Sequence, residues 1–386
     1  MKIGSFYLQQ VPRPWDTDTE HRYFKSALDQ VELQDRLGFD HFWVAEHHFL
    51  EEYSHSSAPE IFLAACTQRT KQIRLGQGIV QLPPLINHPA RVAERIATLD
   101  LISDGRIEFG TGEGACPYEL DGFHVTLEEK RAMWLEGLQT VTRMMVEEPF
   151  GGFSGKYVNI PVRNVVPKPL QKPHPPLWLA CSRHETILTA ARLGLGALCF
   201  AFVSPEEAAQ WVRDYRATLA TECRPVGRAV NPQLAVVYPF ACEKDEAQAR
   251  ELSDANAGFF TYGLSHYWMG LNHKPGVTDL WNSYVTRTSE PDLPLGKTDC
   301  VGTPAQVREL LRGFEASGVD EIIFMAQSGK MPHERVCASF ELFGREVLPE
   351  FKDRDARRAA ATAVLADEIY SRAMERGADD SIGAAK

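Results

Sequence analysis

Short apolar runs alternate with stretches of helical periodicity along most of the chain. Ile3–Tyr7, His41–Ala45, Ile73–Leu82, Ile107–Gly110, Leu177–Cys181, Leu198–Phe202, Leu234–Ala241 and Glu321–Ala326 read as eight strands. Between them apolar residues recur at helical spacing. Tyr23–Leu37 puts Phe24, Leu28, Val31 and Leu37 on one face and stops at Gly38. Helices follow over Ile61–Arg69, over Pro89–Leu101, whose proline suits a first turn, and near Leu127–Val146. Glu185–Arg192, Pro205–Leu219 and Pro304–Ala316 complete the set. Near-continuously apolar strands predict a parallel sheet covered on both faces. Eight such units predict an α/β fold closed as a (β/α)8 TIM barrel. The competing arrangement is an open, doubly wound sheet.

Two segments exceed ordinary loops and predict insertions after strands four and seven. Gly151–Pro176 reads as a hairpin followed by a proline-stiffened connector. The segment before Pro304 carries Phe259, Phe260, Tyr262, Tyr267, Trp268 and Trp281. Such a loop either covers the catalytic face or packs outside, against the barrel or a second subunit. One barrel domain is expected over residues 1–355, and a helical or disordered tail over 356–386.

Composition changes this picture little. The chain has 386 residues, 44% hydrophobic and 24% charged, enough for a large core. A net charge of -11 offers no basic footprint for nucleic acid or an anionic membrane. Its eight cysteines are scattered without a CxxC pair, which argues against a disulfide framework or a zinc site. No basic and apolar leader follows Met1, and no run reaches the roughly 20 apolar residues of a membrane span. A cytoplasmic protein is expected.

A barrel of this kind gathers its chemistry at the C-terminal strand ends. Strand two ends on Glu46, His47 and His48, strand three on Leu82–Pro84 before His88-Pro89, and strand four on Thr111-Gly112-Glu113-Gly114. Strand five ends on Ser182, Arg183 and His184, and strand eight on Gln327 and Ser328. Neighbouring residues leave a strand in opposite directions, so at most one of the two histidines faces the mouth. That one can serve as base or hydrogen-bond donor, unless both are structural; no third ligand at metal spacing accompanies them. Ser182-Arg183-His184-Glu185-Thr186 opens a helix, either as a phosphate cradle or simply as an N-cap by Ser182.

Several motifs in order resemble the bacterial-luciferase-like monooxygenases. They are Ala45-Glu46-His47-His48-Phe49, His88-Pro89 with Ala93-Glu94, and Leu99-Asp100-x-x-Ser103-x-Gly105-Arg106. Phe109-Gly110-x-Gly112-x-Gly114, Gln171-Lys172-Pro173-x-Pro175-Pro176-Leu177-Trp178 and Val301-Gly302-Thr303-Pro304 continue the series, which spans about residues 1–350. The resemblance implies reduced FMN, or alternatively coenzyme F420, as cofactor. It makes His47, with Glu46 and His48, the catalytic group. It places the flavin against Leu82 and Gly112, and its phosphate against Arg131, Ser182, Arg183 and Thr186. It further implies dioxygen chemistry through a C4a-(hydro)peroxyflavin and a homodimer. A small organic substrate is then expected against Phe6, Trp43, Phe202 and aromatics of the late insertion, and, with no NAD(P)H fingerprint in the chain, a separate flavin reductase. An F420-dependent hydride transfer or a non-catalytic partner subunit are the alternatives. Two positions depart from the luciferases: Glu113 stands where they carry arginine, and Gly112 where they carry a reactive cysteine. Light emission is therefore not expected, and Glu113 should turn away from the phosphate while Arg183 and Arg131 supply the charge.

Overall fold

The computed structural model describes residues 1–269, 272–287 and 297–377. Eight strands form the barrel: β1 (Lys2–Tyr7), β2 (His41–Val44), β3 (Arg74–Gln81), β4 (Ile107–Gly112), β5 (Leu177–Cys181), β6 (Gly196–Cys199), β7 (Leu234–Cys242) and β8 (Glu321–Met325). Every strand pairs in parallel with its sequence neighbours, and β8 pairs with β1, so the sheet has no free edge within the ring. The register runs Gly4↔His41 between β1 and β2, Gly110↔Trp178 between β4 and β5, and Leu198↔Ala235 between β6 and β7. Closure decides between the two sequence readings, because an open sheet would leave β1 and β8 apart.

The helices begin where the sequence offers local caps. Pro205–Glu222 starts on a capping box between Ser204 and Glu207, and Pro304–Ser317 on one between Thr303 and Gln306. The helix before β2 spans Thr19–Leu37 and ends at Gly38. Strand β6 lies earlier than Leu198–Phe202 because the chain bends beyond Cys199: Phe202 takes a left-handed φ of 46°. The helix His333–Glu346, which the apolar pattern did not single out, closes the outer layer, and Leu348–Glu375 follows. Ile369 and Ala373 of that last helix are buried.

Polar groups line the lower barrel interior in a connected layer, in which the buried His41 Nε2 makes no hydrogen bond and lies 3.7 Å from Glu108. His41 contacts Glu321 at 2.7 Å, Trp43 Nε1 donates to Glu321 Oε1 at 3.1 Å, and Trp178 Nε1 donates to Glu108 Oε2 at 2.6 Å. Trp43 and Trp178 meet edge to face with centroids 5.4 Å apart. Trp43 is thus a core residue rather than a substrate wall, because its β2 position projects into the filled barrel.

The insertions take different forms. Phe153–Ser154 and Asn159–Ile160 make the expected antiparallel hairpin. Gln171 in the connector holds Asp100 through two hydrogen bonds of 2.7 and 2.8 Å, joining two of the quoted motifs as architecture. After β7 come helices Glu246–Asn256, Gly258–Trp268 and Leu280–Val285, then a short strand, Cys300–Gly302, parallel to the end of β7. Among the described residues no helix is long and apolar enough to cross a membrane.

Candidate active site

The short strand β2 delivers Glu46, His47 and His48 to the barrel's C-terminal end, and their side chains diverge. His47 Nδ1 lies 3.3 Å from Glu119 Oε2, and the ring meets Tyr53 at 5.7 Å. His48 turns the other way, with Nε2 3.0 Å from Glu46 Oε1 and its ring against Phe123. Each histidine therefore has its own buried carboxylate. Glu119 also accepts from the His48 amide at 2.6 Å and from Gln81 Nε2 at 2.7 Å. Glu46 accepts from the Gln81 amide at 3.1 Å and from Asn87 Nδ2 at 2.6 Å. Arg95 in turn donates to Asn87 Oδ1 at 2.6 Å and pairs with Glu60. Burial works against the His48 imidazolium, yet the hydrogen bond and charge of Glu46, with Glu119 and Glu60 behind, hold its pKa above the ordinary value.

Glu119 was not singled out from sequence, although it completes the pair with His47. Its signal was weak: Cys116-Pro117 marks a helix start, and Glu119 falls in the first turn of Pro117–Gly122. Its distance of 72 residues from His47 hides the contact. Gly114 makes the approach possible. It sits at φ 75°, and a Cβ there would come within 2.7 Å of both Gln81 and Leu120.

The predicted cofactor residues fall into two groups. Ser182, Arg183 and Thr186 surround the start of helix His184–Arg192, and Arg131 reaches the same helix through Thr189 at 3.1 Å. No side chain caps this helix, so Ser182 is not its N-cap. Arg183 is exposed and has no carboxylate at ion-pair distance among the described residues. Leu82 and Gly112 lie elsewhere: Leu82 is fully buried, and a Cβ on Gly112 would meet the Ile79 side chain. Glu113 faces Lys130 at 3.5 Å, which gives its charge a partner away from Arg183. Burial pushes the nearby Cys116 thiol up to about 11, so it carries little thiolate at neutral pH.

The late insertion roofs this end of the barrel. Phe260 packs on Tyr53 at 6.1 Å and on Phe202 at 5.9 Å, while Tyr267 meets Tyr53 and Tyr118. Two carboxylates pin the roof to the loop that follows the histidines. Glu52 accepts from the Arg13, Leu280 and Trp281 amides, and Glu51 accepts from the Gly276 amide at 2.8 Å and contacts His273.

Burial, with His273 beside it, lowers the His266 pKa to about 4. An unfolded histidine keeps a pKa near 6.5, so below that value protons favour the unfolded chain. This group should make stability fall between pH 6.5 and about 4, by up to roughly 1.4 kcal/mol per pH unit. Thermal melts of His266→Gln should therefore slope less with pH across that window than melts of the natural chain; parallel slopes would reject the assignment.

Fold and strand-end chemistry together place the protein among the (β/α)8-barrel enzymes. The family model for luciferase-like monooxygenases matches residues 1–321, and the chain belongs to that family. Over 372 residues it is 24% identical to the oxygenase component of flavin-dependent trigonelline monooxygenase from Acinetobacter baylyi, covering 92% of this chain and 98% of the relative. The crystal structure of monooxygenase RslO1 from Streptomyces bottropensis aligns with a TM-score of 0.75 at 27% identity, across 91% of this chain and 100% of that one. A coenzyme F420 dependent tetrahydromethanopterin reductase from Methanopyrus kandleri shares the fold, with a TM-score of 0.67 at 20% identity over 91% and 99% of the two chains.

Proposed function

We propose that this protein is the oxygenase component of a flavin-dependent monooxygenase that uses reduced FMN and dioxygen to oxygenate a small organic substrate. The observation that carries this reading is the pairing of His47 with buried Glu119 at the end of the barrel that also holds an uncapped, cationic helix start. Family membership supports it, and the trigonelline relative supports electron delivery by a separate reductase.

The cradle fits a phosphorylated cofactor, because Arg183 has no carboxylate at ion-pair distance among the described residues, Glu185 in the same turn is paired with Arg192, and the first amides of His184–Arg192 have no side-chain acceptor. Arg183, Arg131, Ser182 and Thr186 would hold the phosphate. Reduced flavin supplies the two electrons with which one oxygen atom passes to substrate and the other leaves as water. The chain's tasks are positioning, dryness and proton handling. Glu119 favours a proton on His47 Nδ1, which leaves Nε2 to accept or deliver a proton toward the reacting atoms. The aromatic roof keeps water out.

Anaerobic titration should show binding of reduced FMN, and admitting oxygen should give slower flavin reoxidation than in buffer alone. No binding and unchanged reoxidation would defeat the proposal. Binding of reduced F420 in its place, without dioxygen consumption, would move the activity to hydride transfer.

The proposal extends to a cytoplasmic homodimer. Eight free cysteines suit a reducing compartment. In the first half of the barrel Ile61 on helix Pro59–Arg69, and Leu101 and Ile102 at the end of Pro89–Ile102, are exposed apolar side chains. Sedimentation at micromolar concentration should show a dimer, and a monomer alone would refute it.

A further inference from the structure

At the N-terminal end of the barrel, opposite the histidines, a cavity of about 350 Å³ opens between β1, β7, the connector before β5 and helix Leu348–Glu375. That volume is near the lower end of the range for small-molecule sites, roughly 300–1,000 Å³. Three cations line it, Lys2, Lys172 and Arg358, against one carboxylate, Asp320. In a chain of net charge -11 this is a local reversal of sign.

The charges around the cavity are only partly compensated, Asp320 acting on both Lys2 and Arg358. Lys2 Nζ donates to the neutral Gln233 Oε1 at 2.7 Å, and Lys172 Nζ to the Pro169 carbonyl at 2.8 Å. Neither ammonium has a carboxylate at ion-pair distance among the described residues. Arg358 is the paired cation of the three: its Nη1 lies 3.5 Å from Glu315 Oε1, an ion pair without hydrogen-bond geometry, and its Nη2 donates to the Val319 carbonyl. Asp320 divides its charge, accepting from the Leu234 amide at 2.9 Å, facing Arg216 at 3.6 Å and acting on Lys2 and Arg358 from further off. Between the cations the wall is apolar, with Leu177, Pro232 and Ala363.

Like charges gathered around one cavity repel, and an anion seated between them relieves that repulsion. We infer that this cavity binds a small organic anion, with a carboxylate or phosphate head between Lys2, Lys172 and Arg358 and an apolar body along Leu177, Pro232 and Ala363. The site is separate from the flavin cradle, and its occupant reaches the barrel from the opposite side.

Isothermal titration of the full chain with benzoate, phenyl phosphate and inorganic phosphate tests this. Saturable binding is expected for at least one organic anion, tighter than for inorganic phosphate. Stronger binding of phenyl phosphate would identify a phosphate head, and stronger binding of benzoate a carboxylate. Lys172→Gln, and independently Lys2→Gln, should weaken the tighter probe about tenfold, the loss of one charge-assisted hydrogen bond. Arg183→Ala should leave that affinity unchanged. Absence of saturable binding, insensitivity to both lysine variants, or loss with Arg183→Ala would each overturn the inference, the last by placing the probe in the flavin cradle.

Discussion

Replacing His47 with alanine should leave binding of reduced FMN within about threefold and lower product formation by about 10²–10⁴-fold, the range for removing a positioned acid or base. The argument rests on geometry. His47 has a carboxylate on one ring nitrogen only, at 3.3 Å, and its backbone is fixed by a 2.9 Å hydrogen bond from its amide to the Ser56 carbonyl. The proposed phosphate cradle stands on other strands, so the variant should spare it. Glu119→Gln provides the companion test. Glutamine can still accept from the His48 amide, but the charge that favours the Nδ1 proton is gone. The rate should drop by a smaller factor, about 10–10²-fold, with the pH profile displaced. If both variants turn over like the natural enzyme, the histidine–carboxylate pair has no part in the chemistry.

The largest effect on stability is expected at Arg106. Its guanidinium is buried and donates to the carbonyls of Ser103, Ile73, Thr67 and Thr70 and to the Thr70 hydroxyl, at 2.8–3.2 Å. It thereby ties the end of helix Pro59–Arg69 and the start of β3 to the turn before β4. Arg106→Met keeps the apolar stem but strands several buried acceptors, each costing on the order of 1–3 kcal/mol before relaxation. Urea unfolding should report a loss of about 3–5 kcal/mol. Arg106→Lys should recover only part of it, because one ammonium cannot reproduce the planar fork. A loss under about 1 kcal/mol would mean that the loop carbonyls find water instead.

Arg106 also illustrates what the sequence disclosed and what it withheld. Ser103-x-Gly105-Arg106 was legible as part of a family pattern, but its work in the structure is architectural, as is that of Asp100 with Gln171. The eight strands were legible because each is a short apolar run bounded by turn residues, and the position of the histidines at the end of the second followed from the same reading. Glu119 was missed because a carboxylate on a six-residue helix has no periodic signature, and its partner is distant in the chain. Gln81 and Asn87 were passed over for a related reason. Uncharged polar residues near an apolar strand end announce nothing until their acceptors are known. Trp43 was misjudged as a wall because periodicity says which way a strand residue points, not how deep the barrel is filled.

Glu52 accepts three backbone amides, two of them from the roof, and lies five residues beyond His47 in the same loop. The roof cannot lift without breaking those bonds or dragging that loop along. Access to the barrel mouth and alignment of the histidine are consequently linked variables. A molecule that props the roof open should therefore also shift the loop that carries His47, coupling entry at the mouth to the position of that imidazole.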